Sequence, residues 1–454
     1  MKRIEKKGTC ASEIKMAGTR VFKKIYLDNN IDANAIKDGV RILEELYPDQ
    51  ISKPLQIDIT EKLENQYNQL IFSYEQELLT PWINDSWISS HKLHKLGQII
   101  LMQQSALVSH GLTFVDARPS NYQLTGTFRL VDLGSIKPLQ EYALESFIND
   151  FNNHFIKPLL LEKKLGIPVN KFYKGGLQTC EIDTLKIVST LRKPDLIKAG
   201  LKDWLNIFVS KQLAKSSTQF ISYITSKIAQ SNEIPTKRAS RKTRKLDRLL
   251  KIVEPNLATE TIWANYQCFH DSIYMSNKRK AVESFLSTES KESLIVDLGS
   301  NTTNLGDFRS NSICFVDSDM AICNYLERNM KRNDLVICTD IAEELVNLQE
   351  NAKSALNADG NADKAIAMGI IHHIAISGGI STECICSGFA TVYKKILLEF
   401  IEKEDPMLQF LFYKKKESIP WEWEQQKKIW GKNFKISQPK RLSKTRFYVI
   451  LERL

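Results

Sequence analysis

Leu294-Ile295-Val296-Asp297-Leu298-Gly299-Ser300-Asn301 is a short, unbroken apolar run that ends in an acid and a glycine. Such a run suits a central parallel strand whose two faces are both covered by crossover helices. The glycine after it lets the backbone turn sharply and come close to a ligand. Ile313-Cys314-Phe315-Val316 reads as the next strand and ends at Asp317, twenty residues after Asp297. That spacing puts a carboxylate over the crevice at the strand ends, where it can accept both hydroxyls of a ribose. Leu335-Val336-Ile337-Cys338 leads to Thr339 and Asp340, placed for an adenine edge. Ala365 to Ile370 and Ile396 to Phe400 read as further strands. From Ser293 onward strands alternate with helical stretches, which predicts a doubly wound α/β sheet.

A strand followed by Asp-x-Gly is shared by many nucleotide binders, so the tail of the chain decides among them. A long charged insertion with Trp421, Trp423 and Trp430 is followed by two strand-like runs, Asn433 to Ile436 and Arg446 to Leu451. A terminal antiparallel pair on an otherwise parallel sheet is the ending of a class I methyltransferase, not of a nicotinamide-binding domain. The three tryptophans read as a lid or core edge rather than an acceptor-stacking wall.

Val296 to Thr302 resembles the first cofactor motif of that family, Ala367 to Ile376 its fourth, and Leu398 to Met407 the segment after its fifth strand. The combination resembles the bacterial two-part methyltransferases related to the nodulation host-specificity protein NoeA. Trp263-Ala264-Asn265-Tyr266, with Lys278 and Lys280, resembles their helical lead-in. The resemblance runs from about Val108 onward. It implies a Rossmann-like methyltransferase sheet over 276–454 and S-adenosyl-L-methionine as cofactor. Asp297 and Gly299, with Ser300 and Asn301, would border its methionine end. Asp317 and Ser318 would hold the ribose, and Asp340 the adenine. Met368 to His373 would line the reacting side. The motif departs from the family at Thr303, where a further glycine is usual, so a Cβ crowds the backbone there.

Methyl transfer from a sulfonium is an in-line displacement, in which positioning and desolvation supply much of the acceleration. A base is needed only when the acceptor must lose a proton. The catalytic candidates are His372, His373 and Glu399: a histidine with a pKa near 6.5 can take a proton, and Glu399 closes a strand at the crevice. Equally, a histidine there can cap or pack on the following helix. The acceptor is unnamed, and a saccharide, small metabolite, protein or RNA all fit. A non-catalytic interaction protein is the alternative reading.

Upstream, Val115-Asp116-Ala117-Arg118-Pro119-Ser120-Asn121 followed by Phe128 to Gly134 resembles the catalytic and metal-binding loops of protein-kinase-like phosphotransferases. In those, the first Asp orients a hydroxyl while the Asn and a second Asp, here Asp132, hold magnesium. Lys23 or Lys24 with Glu44 or Glu45 would supply the phosphate-positioning pair. Phe114 replaces the loop histidine, no glycine-rich loop precedes Val21, and the stretch before Val21 is short for a full small lobe. The first reading is an α+β domain over 1–170 that is kinase-like but reduced to a scaffold, with a plain α+β domain carrying chance matches and a working phosphotransferase as the alternatives. A helical connector is expected over 171–275.

The 454 residues suffice for two or three domains, and 43% hydrophobic with 26% charged content is that of an ordinary globular chain. No long apolar stretch predicts a membrane span, and no secretory pattern opens the chain. Eight scattered cysteines without a paired framework point to reduced thiols, no metal site and a cytoplasmic location. A net charge of +10 owes much to the run from Lys237 to Lys251. Without interleaved aromatics that run reads first as a solvated helix face, and second as a nucleic-acid contact.

Overall fold

The structure is a computed structural model that describes residues 3–7, 10–16, 21–27, 32–52, 54–64, 67–77, 84–124, 128–175, 235–255, 271–291, 293–301, 311–331, 334–348, 355–358, 362–415 and 421–454. Thr303, the Trp263 to Tyr266 segment, and the side chains of Lys23 and Lys24 lie outside the described residues. The chain divides into two compact units, 1–80 with 90–256 and 81–89 with 257–454.

Unit 1 opens with strands β1 (Arg3–Lys7), β2 (Cys10–Met16) and β3 (Val21–Leu27), then helix α1 (Ala33–Leu46), then β4 (Pro54–Glu64) and β5 (Tyr67–Glu77). The strands form an antiparallel sheet in the order β1-β2-β3-β5-β4. The stretch before Val21, which read as short, thus supplies two of the five strands, β1 and β2. Lys7 pairs with Cys10, so only Gly8 and Thr9 connect β1 to β2. Helix α1 starts where the Asp32 carboxylate accepts from the backbone N–H groups of Asn34 and Ala35. It buries Ala35, Ile36, Gly39, Val40, Ile42 and Leu43, the stripe of one helix face.

Helix α2 (Ser90–Ser109) leads into β6 (Leu112–Phe114), β7 (Tyr122–Leu124), β8 (Phe128–Leu130) and β9 (Ile136–Pro138). β6 pairs with β9 and β7 with β8, both antiparallel. The two short ladders bring the loops of Asp116 and Asp132 together. Among the described residues, helices α3 (Glu141–Phe151), α4 (Lys157–Leu165), α5 (Val169–Lys174) and α6 (Thr236–Ile252) follow in this unit. Helix α6 packs on α2 so closely that a Cβ on Gly97 would sit 3.2 Å from Leu250. The basic helix expected in a separate connector is therefore built into unit 1.

Unit 2 starts its main run with α7 (Ser272–Ser287), then β10 (Leu294–Leu298), β11 (Ser312–Asp317), α8 (Met320–Asn329), β12 (Leu335–Cys338), α9 (Ile341–Leu348) and β13 (Lys364–Ala367). Next come α10 (Thr382–Val392), β14 (Lys395–Ile401), α11 (Pro406–Lys415), α12 (Trp423–Trp430), β15 (Phe434–Ile436), β16 (Lys440–Arg441) and β17 (Arg446–Arg453). The sheet order is β12-β11-β10-β13-β14-β17-β15. The first five strands are parallel, and β17 inserts antiparallel between β14 and β15. Ile295, Val296, Ile313, Val316, Val336 and Leu397 are fully buried, which is why these strands read as continuous apolar runs rather than alternating ones. Each contributes roughly 1.5–3 kcal/mol by leaving water.

Residues 84–89 also belong to unit 2, where the Trp87 indole donates to Glu344. Glu344 in turn accepts from Thr339 at the end of β12. Two of the three tryptophans of the charged insertion, Trp421 and Trp430, are core, and Trp423 is half-buried. Trp421 stacks on Phe400 and donates to the Ile401 carbonyl, and Trp430 packs on Phe389 and Phe434. Cys314, Cys323, Cys338, Cys384 and Cys386 are free thiols. Among the described residues no helix is long and apolar enough to cross a membrane, and no group of three or more His, Cys, Asp or Glu is arranged to hold a metal.

Candidate active site

Three adjacent parallel strands end level with one another, because Leu298 pairs with Val316 and Asp317 with Cys338. Their last residues therefore crowd one edge of the sheet, the crevice where doubly wound folds bind ligands. Gly299 leaves β10 with φ +66°, and Asn301 follows with φ 51°. The Gly299 N–H donates to the Val316 carbonyl, and the Ser300 hydroxyl donates to Asp297 and accepts from the Val316 N–H. The Ser300 side chain thus staples the turn to β11 and is buried with Asp297, whereas Gly299 and Asn301 are partly open.

Asp317 faces the same turn. Its carboxylate accepts from the backbone N–H groups of Asn301 at 3.0 Å and Asp319 at 2.9 Å. Burial nevertheless raises its pKa to about 6, because those hydrogen bonds only partly replace lost hydration. Ser318 beside it is exposed. Asp340 follows β12, half-buried, and accepts from the Ala342 N–H.

A Cβ on Gly299 would lie 2.7 Å from the Ile370 side chain, in a backbone conformation that L-residues avoid. The loop after β13 is therefore seated directly on this turn. Gly299→Ala is expected to destabilise unit 2 by about 1–3 kcal/mol in chemical denaturation. A loss below about 0.5 kcal/mol would mean that the turn adapts freely.

β13 ends at Ala367, not at Ile370 as the apolar run suggested: Gly369 takes φ +82° and the chain enters a π-helical turn over His373–Ser377. The Met368 side chain is buried in the core, while its carbonyl accepts from the Lys278 ammonium at 3.1 Å. His372 precedes the turn without capping it, and its ring lies 4.1 Å from that of His373. Burial lowers both histidines. His372 falls well below the usual imidazole value, with His373, Arg446 and Lys278 adding to the effect. His373 is held at about 4, with Arg446 adding to burial. At neutral pH both rings are neutral, and each is a weaker base than a free histidine.

Glu399 lies inside β14 rather than closing it, and is buried. Its Oε1 accepts from the Tyr274 hydroxyl at 2.7 Å, and its Oε2 lies 3.6 Å from the Lys278 ammonium. Arg446 donates to the same hydroxyl at 3.2 Å and grips Asp405 with two bonds of 2.7 and 3.0 Å. A continuous polar chain thus runs from Asp405 through Arg446, Tyr274, Glu399 and Lys278 to the Met368 carbonyl. Two carboxylates and two cations balance within it, which is the condition for burying such groups. Tyr274, Asp405 and Arg446 were not marked as site residues by sequence alone. For Tyr274 no local signal existed. For Arg446 the signal was an arginine opening an otherwise apolar strand.

Strand order 3-2-1-4-5-7-6 with the seventh strand antiparallel defines the class I methyltransferase fold, and unit 2 has it. No protein-family model matches the chain. Nodulation protein NoeA of Rhizobium meliloti (strain 1021) is 23% identical over 321 residues, which are 67% of this chain and 65% of that protein. The chain thus spans less than two thirds of that relative's length. A solved SAM dependent methyltransferase from Archaeoglobus fulgidus is 14% identical, covers 40% of this chain and 100% of its own, and has a TM-score of 0.27. The bifunctional kinase-methyltransferase WbdD is 18% identical, covers 40% of this chain and 38% of its own, with a TM-score of 0.27. At such scores the fold assignment rests on the strand order itself.

Proposed function

We propose that unit 2 binds S-adenosylmethionine and transfers its methyl group to an acceptor held beside His373 and Glu399. The observation that carries this reading is the strand order, with β17 antiparallel beside β14. The donor set at the crevice fits the cofactor. Asp317 offers a carboxylate to the ribose hydroxyls, with Ser318 beside it, and Asp340 offers one to the adenine edge. Gly299, with Asp297, Ser300 and Asn301 around the same turn, gives close backbone approach to the methionine end. When bound, the cofactor would supply an electrophilic methyl carbon on a sulfonium. This chain's residues would orient the acceptor and exclude water. With a pKa of about 4, His373 accepts a hydrogen bond at neutral pH but takes up a proton poorly. An acceptor that must lose a proton as it attacks would therefore find His373 a weak base.

Catalysis separates this reading from that of a binding-only protein. The full chain, incubated with S-adenosylmethionine and a small-molecule extract, is expected to release S-adenosylhomocysteine, and the Asp317→Ala variant much less. Release that is equal for both chains, or absent with every extract fraction, would favour the binding-only reading.

Unit 1 supports a second reading, a kinase-like scaffold. Asn121 donates to Asp116 at 2.9 Å, and burial together with the Asp132 charge raises the Asp116 pKa to about 6. Arg118 is drawn to Asp150 at 2.9 Å. The catalytic and metal-loop residues are thus adjacent, but a two-residue connection replaces the loop whose amides would cradle phosphates. Magnesium–ATP is expected to bind weakly or not at all, and Asp132→Ala to leave methyl transfer intact in a folded protein. Magnesium-dependent ATP turnover that is lost in Asp116→Ala would overturn the scaffold reading.

A further inference from the structure

Helix α6 carries eight cations against one acid, which is seven of the chain's ten net positive charges. The structure shows how they are sorted. Ala239, Thr243, Leu246, Leu249 and Leu250 face inward, so the helix has no apolar face left over. On one flank Lys242 pairs with Glu141 and Glu145, and Arg238 lies 3.6 Å from Glu141. Lys237, Arg241, Arg244, Arg248 and Lys251 are all exposed. Their spacings of four, three, four and three residues place them within about 80° of one helix face, in a row roughly 21 Å long. Among the described residues one ion pair touches that row, Lys251 with Asp247 at 2.7 Å on the exposed surface. Such a pair is worth little and yields readily to a competing anion.

We infer that this row is a binding surface for the phosphate backbone of a nucleic acid. A single file of cations matches a linear polyanion better than a flat anionic surface, because a membrane would be met by a broad patch and by inserted apolar side chains. Every apolar side chain of the helix but the half-buried Ile252 at its end is spent on the interior, so no apolar face remains to insert. No aromatic residue stands on the helix to stack a base, so binding is independent of sequence and governed by counterion release. Five contacts to a single strand predict a slope of about −3 to −4 for log affinity against log salt.

The test is fluorescence anisotropy of the full chain with a labelled single-stranded RNA of about 20 nucleotides, over roughly 50 to 300 mM potassium chloride. The expected result is binding with that slope, weakened at least about thirtyfold by the combined Lys237→Glu, Arg241→Glu, Arg244→Glu and Arg248→Glu changes. The corresponding four glutamine substitutions, which disturb the fold less, should flatten the slope by roughly three. No RNA binding by the native chain at the lowest salt overturns the inference. So does binding that survives the glutamine substitutions with its slope unchanged. Row-dependent binding to phosphatidylserine vesicles with none to RNA would assign the surface to membranes instead, and would likewise overturn it.

Discussion

Arg446→Met is expected to destabilise unit 2 by about 3–5 kcal/mol, a large part of what holds a domain of this size folded. Arg446 is buried with two bonds to Asp405 and one to Tyr274, whose hydroxyl is passed on to Glu399. Removing it leaves Asp405 a buried charge without its counter-ion. Burial alone would raise the Asp405 pKa, yet the Arg446 bonds and charge, with help from Thr445, hold it below the usual carboxylate range. A depressed folded pKa stabilises the fold above the unfolded value of about 3.9, and that contribution is lost as pH falls through the folded pKa. The native chain should therefore lose stability in acid faster than the variant does. The double change Arg446→Met with Asp405→Leu should recover much of the loss, since two apolar side chains replace a balanced pair. Urea unfolding followed by tryptophan fluorescence reads both, because Trp421 and Trp430 are buried in this unit. A single-variant loss below about 1 kcal/mol would mean that water replaces the guanidinium at Asp405.

Asp317→Ala is expected to weaken S-adenosylmethionine binding at least tenfold with little loss of stability. Two charge-assisted hydrogen bonds to the ribose are worth roughly 1.5–3 kcal/mol each. The sign of the stability effect follows from the raised pKa of about 6. Stability linked to a raised carboxyl is present below the unfolded value and is lost as pH rises through 6, so the ionised group does not help the fold at neutral pH. The same pKa makes native affinity fall about tenfold between pH 7 and pH 5, as the carboxyl takes up a proton. The alanine variant should be flat across that range. Calorimetric titration at the two pH values checks both statements. Equal affinities in the native and variant chains would mean that the end of β11 does not face the cofactor.

The sheet of unit 2 was legible because each parallel strand is buried on both faces and spells itself as an apolar run. Leu335 to Cys338 is a strand in both readings. The run through Ile370 misled at its end, because Ile370 leaves the strand to cover Gly299, and apolarity alone cannot tell a strand from such a seat. In unit 1, Arg3 to Met16 is so rich in charge that β1 and β2 do not read as strands, whereas α1 carries the apolar recurrence at three and four residues that marks a helix face. Asp317 was found by spacing from a glycine turn. Tyr274, Glu399 and Arg446 meet only in the fold, the first and the last being 172 positions apart in the chain. No local pattern joins such partners. The lowered pKa of His373 was hidden for the same reason, since it comes from burial and from the Arg446 cation, distant in the chain.

The central claim is that the turn at Gly299 and the carboxylates of Asp317, at the end of β11, and Asp340, after β12, form a cofactor site. Isothermal titration of the full chain with S-adenosylmethionine and S-adenosylhomocysteine at pH 7 tests it most directly. The account predicts one site per chain with micromolar affinity for both, the usual range for a small-ligand pocket. Absence of heat, together with an unchanged melting temperature at millimolar ligand, would contradict it.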